Sequence, residues 1–425
     1  MKPFVPENEW TREFEPWPDD GFRRVLVVAA HPDDETLGAG GLVQHLHAAG
    51  AAVTLVVATD GEAAFPAAGT DERRRLGRAR REELARALAA QGLSEVEPIW
   101  LGLPDSGLAG HTTELTDALR EHAADRDLCL MPWPDDPHPD HRAAGRATVV
   151  AAPVTAHCWA YPIWLWHWGR PDSPDVPWHL ARAYSLSGAE RAAKAAAVRE
   201  FTSQLKPGPR GEDPILPPEV LAHFDRPHET FLRVPPTRSA PVGRFAELYD
   251  RAADPWQVAT SWYERRKRGL LLAALPRERY GTVVEPACGT GALTRELAAR
   301  CDRLLASDPV PHAVRRTREA TAGLSTTDVH EGAVPDVLPA GPVDLVVFGE
   351  LLYYLDDADL TATIDRTVAS LAPGGEIAAV HWRHWAPEAP HDGQEAHRRL
   401  AGHPGLETVV EHVDEEFLLH VLRRR

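Results

Sequence analysis

His31, Asp33 and Asp34, within Ala30-His31-Pro32-Asp33-Asp34-Glu35, are the kind of group that can hold a metal ion and move a proton. A histidine and an acid three positions apart can converge on one cation, and a neighbouring acid that stays off the metal can act as a base. One such pair is a weak signal, because a turn whose acids cap the next helix has the same look. Farther along, Pro137-His138-Pro139-Asp140-His141-Arg142 offers a further ligand. The set becomes two histidines and one carboxylate with an open coordination position. Prolines beside both clusters keep them out of helix interiors.

The elements that position these residues are legible as strands. Val25 to Ala29 and Leu128-Cys129-Leu130-Met131 have the continuous apolar look of buried parallel strands, so each cluster sits at a strand's carboxyl end. That edge is where ligands bind in open α/β sheets. Val53 to Ala58 reads as another strand, with Thr59-Asp60-Gly61-Glu62 at the same edge. Asp60 is either a support for a metal-bound imidazole or a turn Asp before Gly. Helices are expected over Gly41–Ala49, Arg73–Ala90 and Tyr184–Leu205, with a loop over 63–70 and a short strand at Ile99-Trp100-Leu101. Between Trp159 and Trp178 the clustered aromatics serve either as core or, with one or two rings joined by Trp133, as a flat apolar wall for a ligand such as a sugar ring.

The carboxyl-terminal half has its own organising stretch, Thr282-Val283-Val284-Glu285-Pro286-Ala287-Cys288-Gly289-Thr290-Gly291, followed by a helical pattern over Ala292–Ala299. A strand, a Gly-containing turn and a helix make a mononucleotide-binding start. A second strand, Leu304-Leu305-Ala306-Ser307-Asp308, ends in an acid placed for ribose hydroxyls. NAD and S-adenosylmethionine both fit that much. The turn reads E-x-A-x-G-x-G, whereas a pyrophosphate site wants G-x-G-x-x-G against a helix amino terminus, which favours S-adenosylmethionine. Val343–Phe348 reads as a third strand leading to Glu350-Leu351-Leu352-Tyr353-Tyr354, and a fourth strand follows Leu371-Ala372-Pro373-Gly374-Gly375.

Composition bounds the partners. At 425 residues the chain exceeds one ordinary domain, since domains run to ~150 residues. A net charge of −17 argues against nucleic acid and anionic membranes, both of which need a basic face. Residues 1–20 lack a basic start and an apolar core of signal-peptide length, and no run approaches a membrane span, so a cytoplasmic protein is expected. Cys129, Cys158, Cys288 and Cys301 show no short paired spacing and read as core or loop residues. Arg233–Arg244 is proline-rich and lacks an apolar run. The expected organisation is a domain over 1–235, a linker over 236–244 and a domain over 245–425.

The first half resembles the PIG-L (LmbE-like) zinc-dependent N-deacetylases. Their A-H-P-D-D-E and H-P-D-H signatures stand at Ala30–Glu35 and His138–His141. The likeness extends through Thr59–Glu62, Arg80 with Glu83, Leu103-Pro104-Asp105, Tyr161–Trp168, Ser203-Gln204-Leu205 and Glu229-Thr230-Phe231. It implies that His31, Asp34 and His141 hold zinc or another divalent metal, that Asp33 is the general base and that His138 faces the developing oxyanion. Arg80 and Glu83 would form a buried bracing pair.

The second half resembles class I S-adenosylmethionine-dependent methyltransferases. More narrowly, Asp254-Pro255-Trp256, Thr260–Glu264, Lys267-Arg268 and His381-Trp382-Arg383-His384 are similar to NodS-type N-methyltransferases acting on amino sugars. By motif position Glu285, Gly289, Gly291 and Asp308 contact the cofactor, and Trp262, Tyr263 and Arg268 close over it. Glu350, Tyr353, His381 and His397 are the candidates for the acceptor side. Ala287 departs from the family pattern, standing where many members have glycine; Ala333 stands where many have an acid near the adenine.

The two likenesses imply two Rossmann-like α/β domains, and a bifunctional enzyme that deacetylates an N-acetylated sugar or glycoconjugate and N-methylates the exposed amine. Alternatives are separate substrates for the two domains, O-methylation, or a sensor of S-adenosylmethionine or sugar with one inactive domain. The partner is a small molecule, with no nucleic acid and no membrane; the oligomeric state is not read from the sequence.

Overall fold

The computed structural model describes residues 5–18 and 21–425. Residues 1–4 and 19–20, part of the leader expected to carry no targeting signal, lie outside the described residues. The chain divides into two compact units, Met1–Val234 and Pro235–Arg425. The helix Val242–Arg251 begins inside the stretch expected to be linker, and Ser239 already hydrogen-bonds Asp359 of the second unit. No helix among the described residues is long and apolar enough to cross a membrane.

In the first unit, β1 (Glu15–Pro16), β2 (Arg24–Ala29), β3 (Ala52–Thr59), β4 (Ile99–Leu103), β5 (Leu128–Pro132), β6 (His157–Tyr161), β7 (Ala181–Ser185) and β8 (His228–Arg233) form a sheet ordered β1-β7-β8-β6-β5-β2-β3-β4. The run β6-β5-β2-β3-β4 is parallel, and β8 is antiparallel to both its neighbours. Val25, Val27 and Ala29 enter one hydrophobic core while Leu26, Val28 and Ala30 enter another, so β2 is covered on both faces. This explains its unbroken apolar run.

The helix Asp34–Ala48 starts inside the His-Pro-Asp-Asp motif, earlier than expected, and Gly38 and Gly41 lie within it. A Cβ on Gly38 would fall 2.3 Å from Tyr161 Cδ2, and one on Gly41 would fall 1.9 Å from Leu186 Cδ2. Close packing therefore outweighs the helix propensity lost to glycine. Tyr184 lies in β7 rather than in a helix: β7 pairs with β8, and the next helix begins only after Ser187, whose hydroxyl accepts the N–H of Glu190.

In the second unit, β9 (Tyr280–Pro286), β10 (Cys301–Asp308), β11 (Thr327–Glu331), β12 (Val343–Gly349), β13 (Leu371–Trp382), β14 (Leu406–Val413) and β15 (Phe417–Arg424) form a sheet ordered β11-β10-β9-β12-β13-β15-β14. β15 is antiparallel to β13 and β14, and the other pairs are parallel. The short polar β11 escaped the sequence reading, so the strand over Val343–Gly349 is the unit's fourth rather than its third. β13 also starts at Leu371, within the stretch expected to precede it. The four cysteines are free, and three of them are buried.

Candidate active sites

β2 and β5 are parallel neighbours, with Leu26 opposite Cys129 and Val27 opposite Leu130. Their carboxyl ends therefore deliver the two distant motifs to one place. His31 follows β2, Asp34 opens one helix, and His138 caps the helix Pro139–Ala151 that carries His141 in its first turn. Asp34 Oδ2 accepts the backbone N–H groups of Ala30 at 3.0 Å and His31 at 2.8 Å. Its Oδ1 lies 3.1 Å from His141 Nε2. His31 Nδ1 is 3.2 Å from His141 Nε2 and 3.7 Å from Asp34 Oδ2.

Among the described residues, two sets of side chains converge closely enough to share a cation, His31–His138–His141 and His31–Asp105–Asp140, the ligand atoms of each within 4.8 Å. Asp34 belongs to neither set, yet it touches both imidazoles that the resemblance pairs with it. The carboxylates around His31 Nε2 are already engaged. Asp105 Oδ1 stands 3.2 Å from that nitrogen while Oδ2 accepts Ala63 N–H, and Asp140 Oδ2 stands 3.4 Å from it while accepting Ser106 N–H. His141 Nδ1 faces Asp136 Oδ1 at 3.4 Å. Each imidazole thus has a carboxylate behind one nitrogen and the shared cluster in front of the other, the arrangement that orients metal-binding histidines. Asp60, the sequence candidate for that supporting role, is instead paired with Arg81 at 2.6 Å. Asp136 shares the proline-flanked segment of His138 and His141, which is the one signal that could have found it.

The electrostatics follow from burial and pairing. Burial would lower His31, but the bonds to Asp105, Asp140 and Asp34 hold it well above the usual imidazole range. His141 is pushed up to about 9 against its burial, chiefly by Asp34 and Asp136. Burial would raise Asp34, but His141 and His31 hold it well below the usual carboxylate range. Burial pushes Asp33 up to about 6, with Arg80 opposing. Asp33 sits at φ 144°, and its Oδ2 accepts from Arg80 Nη2 at 2.9 Å. Arg80 also donates to the carbonyls of Pro32 and Gly61. The expected Arg80–Glu83 pair is not formed: Glu83 is buried but accepts from Thr202 and Ser203. Burial, then the charges of His141 and His31, bring His138 down to about 3, so it is neutral. Its Nδ1 accepts Asp140 N–H, which leaves the proton on Nε2.

In the second unit Glu285 stands next to last in β9, beside Ala306 of β10, and Asp308 ends β10. Asp308 Oδ2 accepts Gly289 N–H at 3.0 Å and its Oδ1 accepts Val310 N–H at 2.9 Å. The turn needs left-handed backbone at Ala287 (φ 57°), Gly289 (58°) and Gly291 (77°). Ala287 is thus small enough for its place but strained in it. Glu285 is buried, its Oε2 has no hydrogen-bond partner, and burial pushes its carboxyl up to about 8. Tyr249, absent from the sequence reading, reaches over this turn: a Cβ on Gly289 would lie 3.3 Å from its hydroxyl, and its ring stacks on His312 at 5.5 Å.

Glu350, at φ 53°, accepts from Lys267 at 2.5 Å, from Tyr353 Oη at 2.5 Å and from Trp382 N at 3.0 Å. Tyr263 joins this group with its ring 4.6 Å from Lys267 Nζ. Trp262 stands apart, 70 % exposed, and Arg268 bonds Glu296 and the carbonyl of Val258. His381 and His397 are buried in a relay: His381 Nε2 accepts Leu352 N–H, its Nδ1 meets His397 Nε2 at 2.9 Å, and His397 Nδ1 meets His420 at 2.7 Å.

Both halves are mixed α/β units whose polar clusters lie at the carboxyl ends of neighbouring parallel strands. The family model described as GlcNAc-PI de-N-acetylase (PIG-L) matches residues 26–152, and that for nodulation protein S (NodS) matches residues 246–422. The 1D-myo-inositol 2-acetamido-2-deoxy-alpha-D-glucopyranoside deacetylase of Mycobacterium sp. (strain JLS) is 30% identical over 244 residues, covering 45% of this chain and 78% of that protein. Nodulation protein S of Rhizobium tropici is 33% identical over 133 residues, covering 30% of this chain and 54% of that protein. Among solved structures, N-methyltransferase NodS from Bradyrhizobium japonicum WM9 with S-adenosyl-l-homocysteine is 26% identical at a TM-score of 0.40, covering 43% of this chain and 98% of that one. The chain belongs to the PIG-L family through its first unit, and its second unit matches the NodS family model over residues 246–422. It spans only about half the length of the nodulation protein it matches.

Proposed function

We propose a bifunctional enzyme that removes the acetyl group from the nitrogen of an acetamido sugar or glycoconjugate and then methylates the freed amine with S-adenosylmethionine. The observation that carries the reading is the convergence of His31, Asp34 and His141 at two adjacent strand ends, with Asp33 braced beside them by Arg80.

The donor set fits a divalent cation such as zinc: two imidazole nitrogens face each other at 3.2 Å beside a carboxylate oxygen, and carboxylates back both rings. His31, Asp34 and His141 would hold it, and the chemistry it supplies is Lewis acidity toward an amide carbonyl and acidification of water. Asp33 takes the proton of the attacking water, with a pKa of about 6 suited to that task near neutral pH. Arg80 holds the Asp33 carboxylate in place. His138 donates its Nε2–H to the oxyanion, its tautomer fixed by Asp140 N–H. Acetate and a primary amine result.

The second unit fits S-adenosylmethionine on its own observation, since the buried Oε2 of Glu285 lacks a partner beside a left-handed turn ending near Asp308. Glu285, Gly289, Gly291 and Asp308 would hold that cofactor, which supplies an electrophilic methyl group. Trp262, Tyr263 and Arg268 are proposed to close over it. Glu350 and Tyr353, bonded at 2.5 Å, are proposed to face the acceptor amine. The amine must arrive neutral and aligned, so positioning is the main contribution. Mass spectrometry of an N-acetylated amino sugar incubated with zinc-loaded protein tests the reading. The free amine is expected without S-adenosylmethionine and the N-methylamine with it; an unchanged acetamide, or methyl on oxygen, contradicts it.

A further inference from the structure

The five tryptophans between Trp159 and Trp178 do not share one environment. Trp159 and Trp166 are 3% and 4% exposed. Trp178 packs on Trp10, Phe14 and Trp166. Trp133, expected to join a ligand wall, is 6% exposed and belongs to the core. Trp164 and Trp168 are different: both are only partly buried, and they lie face to face with centroids 4.2 Å apart at 14°. Trp164 also runs nearly parallel to the imidazole of His138, at 6.5 Å and 26°. A run of three aromatic rings therefore begins at the histidine that lines the cation cluster and continues away from it.

One carboxylate fixes the backbone beneath that run. Asp136 is fully buried, and its Oδ2 accepts the N–H groups of Ile163 at 3.1 Å, Trp164 at 3.0 Å and Leu165 at 3.3 Å. Its Oδ1 accepts His138 N–H at 3.0 Å and faces His141 Nδ1 at 3.4 Å. The backbone under Trp164 is thereby tied to both histidines of the second motif. A core tryptophan needs no such link to a catalytic cluster.

We propose that Trp164, backed by Trp168, is the specificity-determining platform of the deacetylase unit. It takes the apolar C–H face of a pyranose ring whose acetamide reaches the His31–His141 cluster. The proposal rests on the deacetylase reading and deepens it by naming the residue that selects ring-bearing substrates. A pyranose presents a flat apolar face to an indole, and an acyclic acetamide does not. A contact made equally in ground and transition states appears in KM rather than in kcat.

The test compares methyl 2-acetamido-2-deoxy-β-D-glucopyranoside with N-acetylethanolamine as substrates of zinc-loaded wild type, Trp164→Ala and Trp164→Phe, with zinc content measured in each. Trp164→Ala should raise KM for the pyranoside so that the preference for it over N-acetylethanolamine falls by about 10-fold or more. Zinc content should not change, and Trp164→Phe should recover most of the preference. An equal loss on both substrates, or an unchanged preference, overturns the platform. If wild type hydrolyses neither compound, the deacetylase reading fails separately. Tryptophan fluorescence titrated with the pyranoside then decides the platform: saturable quenching in wild type that Trp164→Ala abolishes supports it, and its absence in wild type or persistence in the variant overturns it.

Discussion

The two units place their polar clusters at the same kind of strand edge, yet they build them in opposite ways. In the first, nearly every charged group already has a partner: Asp34 holds two backbone N–H groups and His141, Arg80 clamps Asp33, and Asp105 and Asp140 stand behind His31. In the second, the turn is made by backbone conformation, and the buried carboxylate of Glu285 has an oxygen with no partner. The contrast matches what each site is proposed to receive. A small cation needs a rigid, pre-oriented donor set, whereas a large cofactor supplies many of the contacts itself.

The largest effects should come from the pre-oriented site. Asp34→Ala should lose zinc and deacetylation together, because it removes a proposed ligand. Asp33→Ala should keep its zinc and lose about 10²- to 10⁴-fold in turnover, because it removes only the proposed base. Metal analysis beside the rate assay separates the two, and full activity in Asp33→Ala would end the proposed role of that residue.

Arg80→Ala tests whether pairing holds the first site together. Both partners are almost wholly buried, at 4% and 7% side-chain exposure, so the variant strands a carboxylate and should cost about 3–5 kcal/mol in urea unfolding. An unchanged unfolding midpoint would mean that the pair carries no such load.

The second unit should show the reverse behaviour, a carboxyl that favours being neutral. Burial raises Glu285 from 4.5 to about 8, so the folded chain retains a proton that the unfolded chain releases at lower pH. Its contribution to stability is present below the unfolded value and is lost as pH rises through the folded one. Glu285→Gln should therefore flatten part of the fall in melting temperature between about pH 5 and 8. Equal slopes in variant and wild type would remove Glu285 as the cause. The smallest effect is expected at Ala287: with φ at 57°, Ala287→Gly should relieve left-handed strain and stabilise by about 1 kcal/mol or less.

What was legible in the sequence divides along the same line. Strands covered on both faces announce themselves through unbroken apolar runs, so β2 and β5 and the motifs at their ends could be read directly. The edge strand β11, Thr-Asp-Val-His-Glu, has one buried residue and no such run. Partnerships were harder. Whether Asp60 or Asp136 supports an imidazole depends on strand order and loop path, and Arg81 lies one helical position beyond the Arg80 that braces Asp33. Tyr249 was invisible for the same reason: only the folded path of its helix brings it over Gly289.

The central claim is that the two chemistries are consecutive on one nitrogen. An acetamide nitrogen is delocalised into its carbonyl and cannot attack a sulfonium methyl, whereas a freed amine can, which fixes the order. The direct measurement is product mass spectrometry from an N-acetylated amino sugar with S-adenosylmethionine and three proteins. Wild type should give the N-methylamine, Asp34→Ala should give nothing, and Asp308→Ala should stop at the free amine. Supplying that amine to Asp34→Ala should restore methylation. Methyl on oxygen, or methylated product that keeps its acetyl group, would contradict the account.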